Sequence, residues 1–214
     1  MSGKPAFDLR LYLVLGSQDT APGRLEDTLR AALAGGVTLL QLREKNAGSE
    51  QTVALGKRIK AILDPLGVPL IVNDDIEAAR ALGAAGVHLG QDDLPAAEAR
   101  KLLGPDSIVG VSTGTPEEAR RIDMSQVDYL GIGPVFATST KADAGDAIGA
   151  EGIRAVLETA PLRSVAIGGI TAENAASCIA AGAEGVAVVS AICGAADPEA
   201  AARRLRAAVA GARD

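Results

Sequence analysis

At 214 residues, 48% of them hydrophobic, the chain is long enough to bury one sizeable core and is expected to form a single domain over residues 1–214. A formal net charge of -6 argues against a general nucleic-acid binder, and 2% aromatic residues with no Trp leave almost nothing to stack on bases. Residues 1–10 are too short and polar for a signal peptide, and no run reaches the ~18 apolar residues of a membrane span, so a cytoplasmic protein without a membrane partner is expected.

The first strand is Leu11–Leu15, and a helix follows from Arg24 to Ala34, closed by Gly35 and Gly36. Val37–Leu42 reads as a second strand ending in Arg43, Glu44 and Lys45. Ser49 is placed to cap the next helix, which stops at Pro65. Pro69–Val72 is a third strand that ends in Asn73, Asp74 and Asp75, and a helix follows over Ile76–Ala85. Val87–Leu89 is a fourth strand, ending in Gly90, Gln91, Asp92 and Asp93, with a helix beginning near Pro95.

Ser107–Val111 is the fifth strand, and Thr115-Pro116-Glu117-Glu118 reads as a capping box opening the next helix. The sixth strand, Val127–Gly131, runs into the longest loop, Gly133–Gly149, which lacks periodicity and is expected to close over bound ligand. A helix then covers Glu151–Thr159, the seventh strand is Ser164–Ile167, and Thr171 opens another helix after Gly168-Gly169. Gly185–Val189 is the eighth strand, and Asp197-Pro198-Glu199 starts the last helix. Ala-Gly dipeptides at Gly35, Gly86 and Gly182 mark helix-to-strand turns.

Eight strand–helix alternations with continuous apolar strands point to a parallel sheet buried on both faces, hence an α/β fold of (β/α)8 TIM-barrel type. An open doubly wound sheet is the runner-up, but Leu15-Gly16-Ser17-Gln18 is not the glycine-rich phosphate loop it would need. The two cysteines, Cys178 and Cys193, lack metal spacing and read as small buried hydrophobes in a reducing compartment. Self-association is left open.

In a barrel the chemistry gathers at the carboxyl ends of the strands. Gln41, Arg43 and Lys45 alternate, so they share one face of the second strand, and a guanidinium and an ammonium there suit phosphate. Carboxylates ending two strands, Asp74 or Asp75 and Asp92 or Asp93, suggest a magnesium ion holding a phosphorylated ligand. Asp75 has an alternative role as a helix N-cap, and either Asp92 or Asp93 could cap the next helix. Gly168-Gly169 and Ser190-Ala191 follow the strands whose loops commonly bind phosphate in barrels, although turn geometry alone would also call for the glycines. Thr138, Ser139, Thr140 and Lys141 offer three hydroxyls and an ammonium to a phosphate or pyrophosphate, or form a solvated polar loop. His88, the sole histidine, stands inside a strand and reads as a hydrogen-bonded packing residue, not a base.

Taken together, Leu40–Lys45, Asn73-Asp74, Val87–Asp93, Gly110–Ser112, Gly131–Lys141, Ala166–Thr171 and Gly185–Ser190 make the chain resemble thiamine-phosphate synthase over nearly its whole length. The resemblance implies a barrel that joins 4-amino-2-methyl-5-hydroxymethylpyrimidine diphosphate to hydroxyethylthiazole phosphate, or its 2-carboxy form, releasing pyrophosphate. It also implies Mg2+ on Asp74 and Asp93. Gln41, Leu42, Arg43, Glu44, Lys45, Asn73, Ser112 and Lys141 would hold the pyrimidine diphosphate, and Thr138, Ser139, Thr140, Gly169, Val189 and Ser190 the thiazole phosphate. Arg43, Lys45, Ser112 and Lys141 would take the catalytic load.

Two departures stand out. Gly114 occupies a position where the family often has histidine, and residues 142–149 lack the proline often found before the glycine there. A related thiazole tautomerase relies on a histidine in the former segment, so Gly114 weakens that reading. A non-catalytic barrel that binds a thiamine intermediate is a third reading, against which the intact Asp74, Asp93, Arg43 and Lys141 argue.

Overall fold

The computed structural model describes residues 3–45, 47–138, 140 and 145–213. Eight parallel strands pair in chain order, and β1 closes on β8: β1(Leu11–Leu15), β2(Leu39–Leu42), β3(Leu70–Asn73), β4(Gly86–Leu89), β5(Ile108–Thr113), β6(Tyr129–Ile132), β7(Ser164–Ile167) and β8(Gly185–Val188). The helices are α1(Leu25–Ala34), α2(Ser49–Leu63), α3(Ile76–Leu82), α4(Ala96–Leu103), α5(Pro116–Ala119), α6(Gly149–Thr159), α7(Ala175–Ala180), α8(Ser190–Cys193) and α9(Pro198–Gly211). The expected closed (β/α)8 barrel is therefore the observed fold, and no described helix is long and apolar enough to cross a membrane.

Why the strands read as continuous apolar runs follows from their two buried faces. Leu11, Leu13, Leu15, Leu40, Leu42, Leu70 and Val72 point out and pack beneath the helices. The alternate residues fill the lumen, where Tyr12, Leu39, Ile71, Ile108, Tyr129, Val165 and Ala187 form a separate cluster. Each such fully buried Leu or Ile stabilises the barrel by about 1.5–3 kcal/mol before entropy is counted.

Several ends differ from the sequence expectation. Gly48, not Ser49, is the N-cap of α2, so Ser49 begins the helix with no cap bond from its side chain. α3 stops at Leu82 because Gly83 turns left-handed (φ +55) and its N–H donates back to Ala79 and Arg80 carbonyls. β5 extends to Thr113 and so carries Ser112 within the ladder. Asn174 Oδ1 accepts from Thr171 N–H at 2.8 Å, and this turn delays α7 to Ala175. Thr115 caps α5 as expected, but Glu118 accepts from Gly114 N–H at 2.6 Å, one residue earlier than a capping box requires. The short helix α8, directly after β8, carried no signal recognised in the sequence.

Candidate active site

Parallel strands in a closed barrel put all their carboxyl ends at one mouth. Alternation places Arg43, Asn73 and Ser112 there, each two residues beyond a lumen position: Gln41, Ile71 and Gly110. Gln41 is buried, Arg43 and Asn73 are half-buried, and Lys45 is exposed. Leu42 has the opposite parity: its side chain is fully buried in the outer core, so only its backbone is available to a ligand.

Glu44 is engaged within the protein. One carboxylate oxygen accepts from Ser17 Oγ at 2.7 Å, and the other from Ser17 N–H at 2.5 Å. Gln18 Nε2 donates to the Arg43 carbonyl at 3.0 Å. The loop after β1 thus holds the segment that presents Arg43 and Lys45. Asp19 accepts from Gly16 N–H at 2.7 Å, and partial burial raises its carboxyl above the usual range in spite of Arg43 nearby.

Asp74 adopts φ +60, alone among the described non-glycine residues in being left-handed. Asp and Asn tolerate that conformation better than other side chains do. Asp75 N–H closes the turn onto the Asn73 carbonyl at 2.6 Å, and Asp74 N–H donates to the His88 carbonyl at 2.9 Å. Asp75 Oδ1 caps α3 through Ala78 N–H at 2.8 Å, so the cap role falls to Asp75 and Asp74 is left for the mouth. Asp93, whose Oδ2 accepts from Gly90 N–H at 2.6 Å, brings its carboxylate against that of Asp74. Although Asp74 is exposed as a residue, its carboxyl is partly withdrawn from water, and that desolvation together with Asp93 raises its pKa to about 7. Arg43 and the Asn73 amide, which donates to Asp74 Oδ2, oppose the rise. Two facing carboxylates of this kind could share a divalent cation, and among the described residues no group of three or more His, Cys, Asp or Glu could hold a metal.

Below the mouth runs a polar chain that sequence reasoning missed. Gln41 Nε2 donates to Tyr12 Oη at 2.9 Å, Tyr12 Oη meets Tyr129 Oη at 2.8 Å, and Tyr129 Oη meets His88 Nδ1 at 2.9 Å. His88 Nε2 meets Ser112 Oγ at 2.9 Å. The only two tyrosines and the only histidine of the chain therefore lie in one line from β2 to β5. Burial pushes both phenols above their usual pKa, so each keeps its hydrogen. Small residues make the room: a Cβ on Gly110 would sit 2.1 Å from the Tyr129 ring. The scarcity of tyrosine, with both at lumen parity, was the available signal.

On the opposite arc, the segment after β6 lies on the end of β7. Val135 N–H donates to the Ile167 carbonyl at 2.9 Å and Phe136 N–H to Gly168 at 3.0 Å. Gly168 (φ +94) and Gly169 (φ +63) are both left-handed, and a Cβ on Gly169 would sit 2.6 Å from the Ala137 carbonyl. Turn geometry and close approach thus account for both glycines, whatever they bind. Thr138 Oγ1 accepts from Thr140 N–H at 3.2 Å. Gly169, Val189 and Ser190 line the ends of β7 and β8, and Ser190 opens α8. Ser139 and Lys141 lie outside the described residues.

A family model for "Thiamine monophosphate synthase" matches residues 11–192. A thiamine-phosphate synthase of Xanthobacter autotrophicus is 53% identical over 207 residues, covering 97% of this chain and 98% of the relative. One of Moorella thermoacetica is 49% identical over 209 residues, covering 98% and 99%. The solved thiamine phosphate pyrophosphorylase of Pyrococcus furiosus superposes with a TM-score of 0.86 at 35% identity, covering 96% of this chain and 98% of that one.

Proposed function

The chain belongs to the thiamine monophosphate synthase family of transferases, and we propose that it couples 4-amino-2-methyl-5-hydroxymethylpyrimidine diphosphate to hydroxyethylthiazole phosphate, or its 2-carboxy form, in a Mg2+-dependent reaction. The products are thiamine phosphate and pyrophosphate. The observation that carries this reading is the mouth itself: two facing carboxylates, Asp74 and Asp93, with Arg43 at the end of the neighbouring strand.

The donor set suits the ion. Mg2+ is commonly held by one or two carboxylates plus substrate phosphates. Burial and the facing Asp93 carboxylate both lift Asp74, and a cation between the two carboxylates would oppose that rise. When bound, Mg2+ supplies positive charge against the diphosphate.

The remaining work falls to the chain's own groups. Arg43, Lys45 and Lys141 neutralise the charge that builds on the departing pyrophosphate. Gln41, Asn73 and Ser112 hold the pyrimidine, while Thr138, Ser139, Thr140, Gly169, Val189 and Ser190 hold the thiazole phosphate. Departure precedes attack, leaving a stabilised pyrimidinylmethyl cation. The thiazole nitrogen attacks with no proton to lose, so no general base is needed, in keeping with a lumen whose sole histidine is hydrogen-bonded to Tyr129 and Ser112. Catalysis then rests on positioning and electrostatics.

At Gly114, a Cβ would sit 2.9 Å from the Gly133 carbonyl. A histidine there would require that segment to move, which weighs against tautomerase chemistry. Cys178 and Cys193 are free thiols whose pKa values burial raises to about 11 and about 12, so neither is poised as a thiolate nucleophile, in keeping with no role in the reaction.

The test is direct incubation with both substrates and Mg2+, following pyrophosphate and thiamine phosphate. Formation of both in equal amounts, lost on chelation of Mg2+, is expected. No product from fresh substrates overturns the reading.

A further inference from the structure

The buried chain from Gln41 to Ser112 has a direction, and the direction follows from counting hydrogens. An amide nitrogen can only donate, so Tyr12 Oη accepts from Gln41 Nε2 at 2.9 Å. The Tyr12 hydrogen must then go elsewhere, and its remaining partner is Tyr129 Oη at 2.8 Å. Tyr129, having accepted, passes its own hydrogen to His88 Nδ1 at 2.9 Å. A neutral imidazole whose Nδ1 accepts carries its hydrogen on Nε2, which donates to Ser112 Oγ at 2.9 Å. The Ser112 hydroxyl hydrogen is left over and free to turn to the mouth.

The opposite direction fails at Tyr12. Its oxygen would accept from both Gln41 and Tyr129, and its own hydrogen would have no acceptor in a residue only 1% exposed. Leaving such a buried donor unpaired is costly. Only an amide turned over, with Oε1 towards Tyr12, permits the reverse direction, and then every donor along the line reverses with it.

We propose that Tyr12, Tyr129 and His88 are positioning residues that couple the two ends of the site, so that the face Gln41 offers a ligand and the face Ser112 offers it are set together. In the direction inferred above Gln41 offers a carbonyl and Ser112 offers an O–H. A ligand that donates at Gln41 and accepts at Ser112 satisfies both, and an aminopyrimidine has such a pair in its exocyclic amine and a ring nitrogen. A ring that presents acceptors to both ends satisfies only one of them, because the line cannot serve both directions. This specificity role rests on the reading of Gln41 and Ser112 as pyrimidine ligands. The direction of the line does not.

Because His88 is the sole histidine, imidazole 15N NMR of the untagged, uniformly labelled chain reports the direction without any activity measurement. The wild type is expected to show a hydrogen on Nε2 and a bare Nδ1. Gln41→Glu puts an acceptor-only carboxylate against Tyr12 and is expected to move the hydrogen to Nδ1. In a Tyr129→Phe background, the Gln41→Glu change should leave the His88 tautomer where it was. Tyr12→Phe repeats the interruption at a second position should Tyr129→Phe fail to fold.

A wild-type ring with its hydrogen on Nδ1, a doubly protonated ring, or a tautomer unmoved by Gln41→Glu with both tyrosines present overturns the proposal. On the functional side, Gln41→Ala and Ser112→Ala should be non-additive by at least about 3-fold in kcat/KM for the pyrimidine diphosphate, and additive once Tyr129→Phe is present. Equal coupling in both backgrounds counts against the relay. A wild type that makes no thiamine phosphate sinks the functional reading while the tautomer result stands by itself.

Discussion

Asp74, at the end of β3, and Asp93, four residues beyond β4, hold their carboxylates against each other at the barrel mouth, and burial with this contact lifts Asp74 to about 7. A carboxyl raised from its ordinary 3.8 binds its proton more tightly in the folded than in the unfolded chain. Its contribution to stability is therefore present below about pH 4 and is lost as pH rises through about 7. Mg2+ must displace the same proton. The stabilisation by Mg2+ should grow from about pH 5 to about pH 8, and Asp74→Asn should flatten that growth. Thermal melts with and without Mg2+ across this range test it; an equal Mg2+ increment at both ends would remove Asp74 from the metal site.

Adjacent carboxylates should behave oppositely. Asp75 caps α3, so Asp75→Ala should cost about 1 kcal/mol in denaturant unfolding and leave turnover within about 2-fold. Asp74→Ala should leave the barrel folded and abolish Mg2+-dependent turnover. Comparable loss of activity in both variants would mean that the turn acts as one unit.

The Glu44–Ser17 contact makes a prediction about Arg43. If Glu44 serves by holding the loop and not by touching substrate, Glu44→Ala should raise the KM for pyrimidine diphosphate several-fold, and removing Ser17 Oγ on top should add little. A double-mutant cycle on KM decides this. Full additivity would assign Glu44 to the ligand instead.

Gly110→Ala places a methyl group 2.1 Å from the ring of Tyr129, a fully buried side chain. Overpacking of this kind costs about 1–3 kcal/mol, and here the displaced ring also carries the hydroxyl that joins Tyr12 to His88. A loss in chemical denaturation of at least that size is expected. Wild-type stability would show that Tyr129 can shift.

Gly169→Ala combines a left-handed φ of +63 with a 2.6 Å approach to the Ala137 carbonyl. The segment after β6 must lift off β7, so the KM for thiazole phosphate should rise about 10-fold or more with that for pyrimidine diphosphate little changed. Steady-state kinetics in each substrate test the split.

Much of this protein is written locally. Period-two alternation put Gln41 and Arg43 on one face, apolar runs bounded by turns marked eight strands, and Asp75 stood at a helix start where a cap is needed. Such features depend on neighbours within a few positions, so composition and spacing suffice. The choice between Asp92 and Asp93 was not of that kind. Either could follow β4, and only the approach of β3 and its turn brings Asp93 to Asp74.

The same holds for Tyr12 and Tyr129, which are 117 residues apart and meet only because the strands close into a ring. Read along the chain, each is one more apolar strand position. Their hydroxyls acquire a purpose only in the lumen, where a buried donor must find an acceptor and the nearest one belongs to a strand on another part of the barrel.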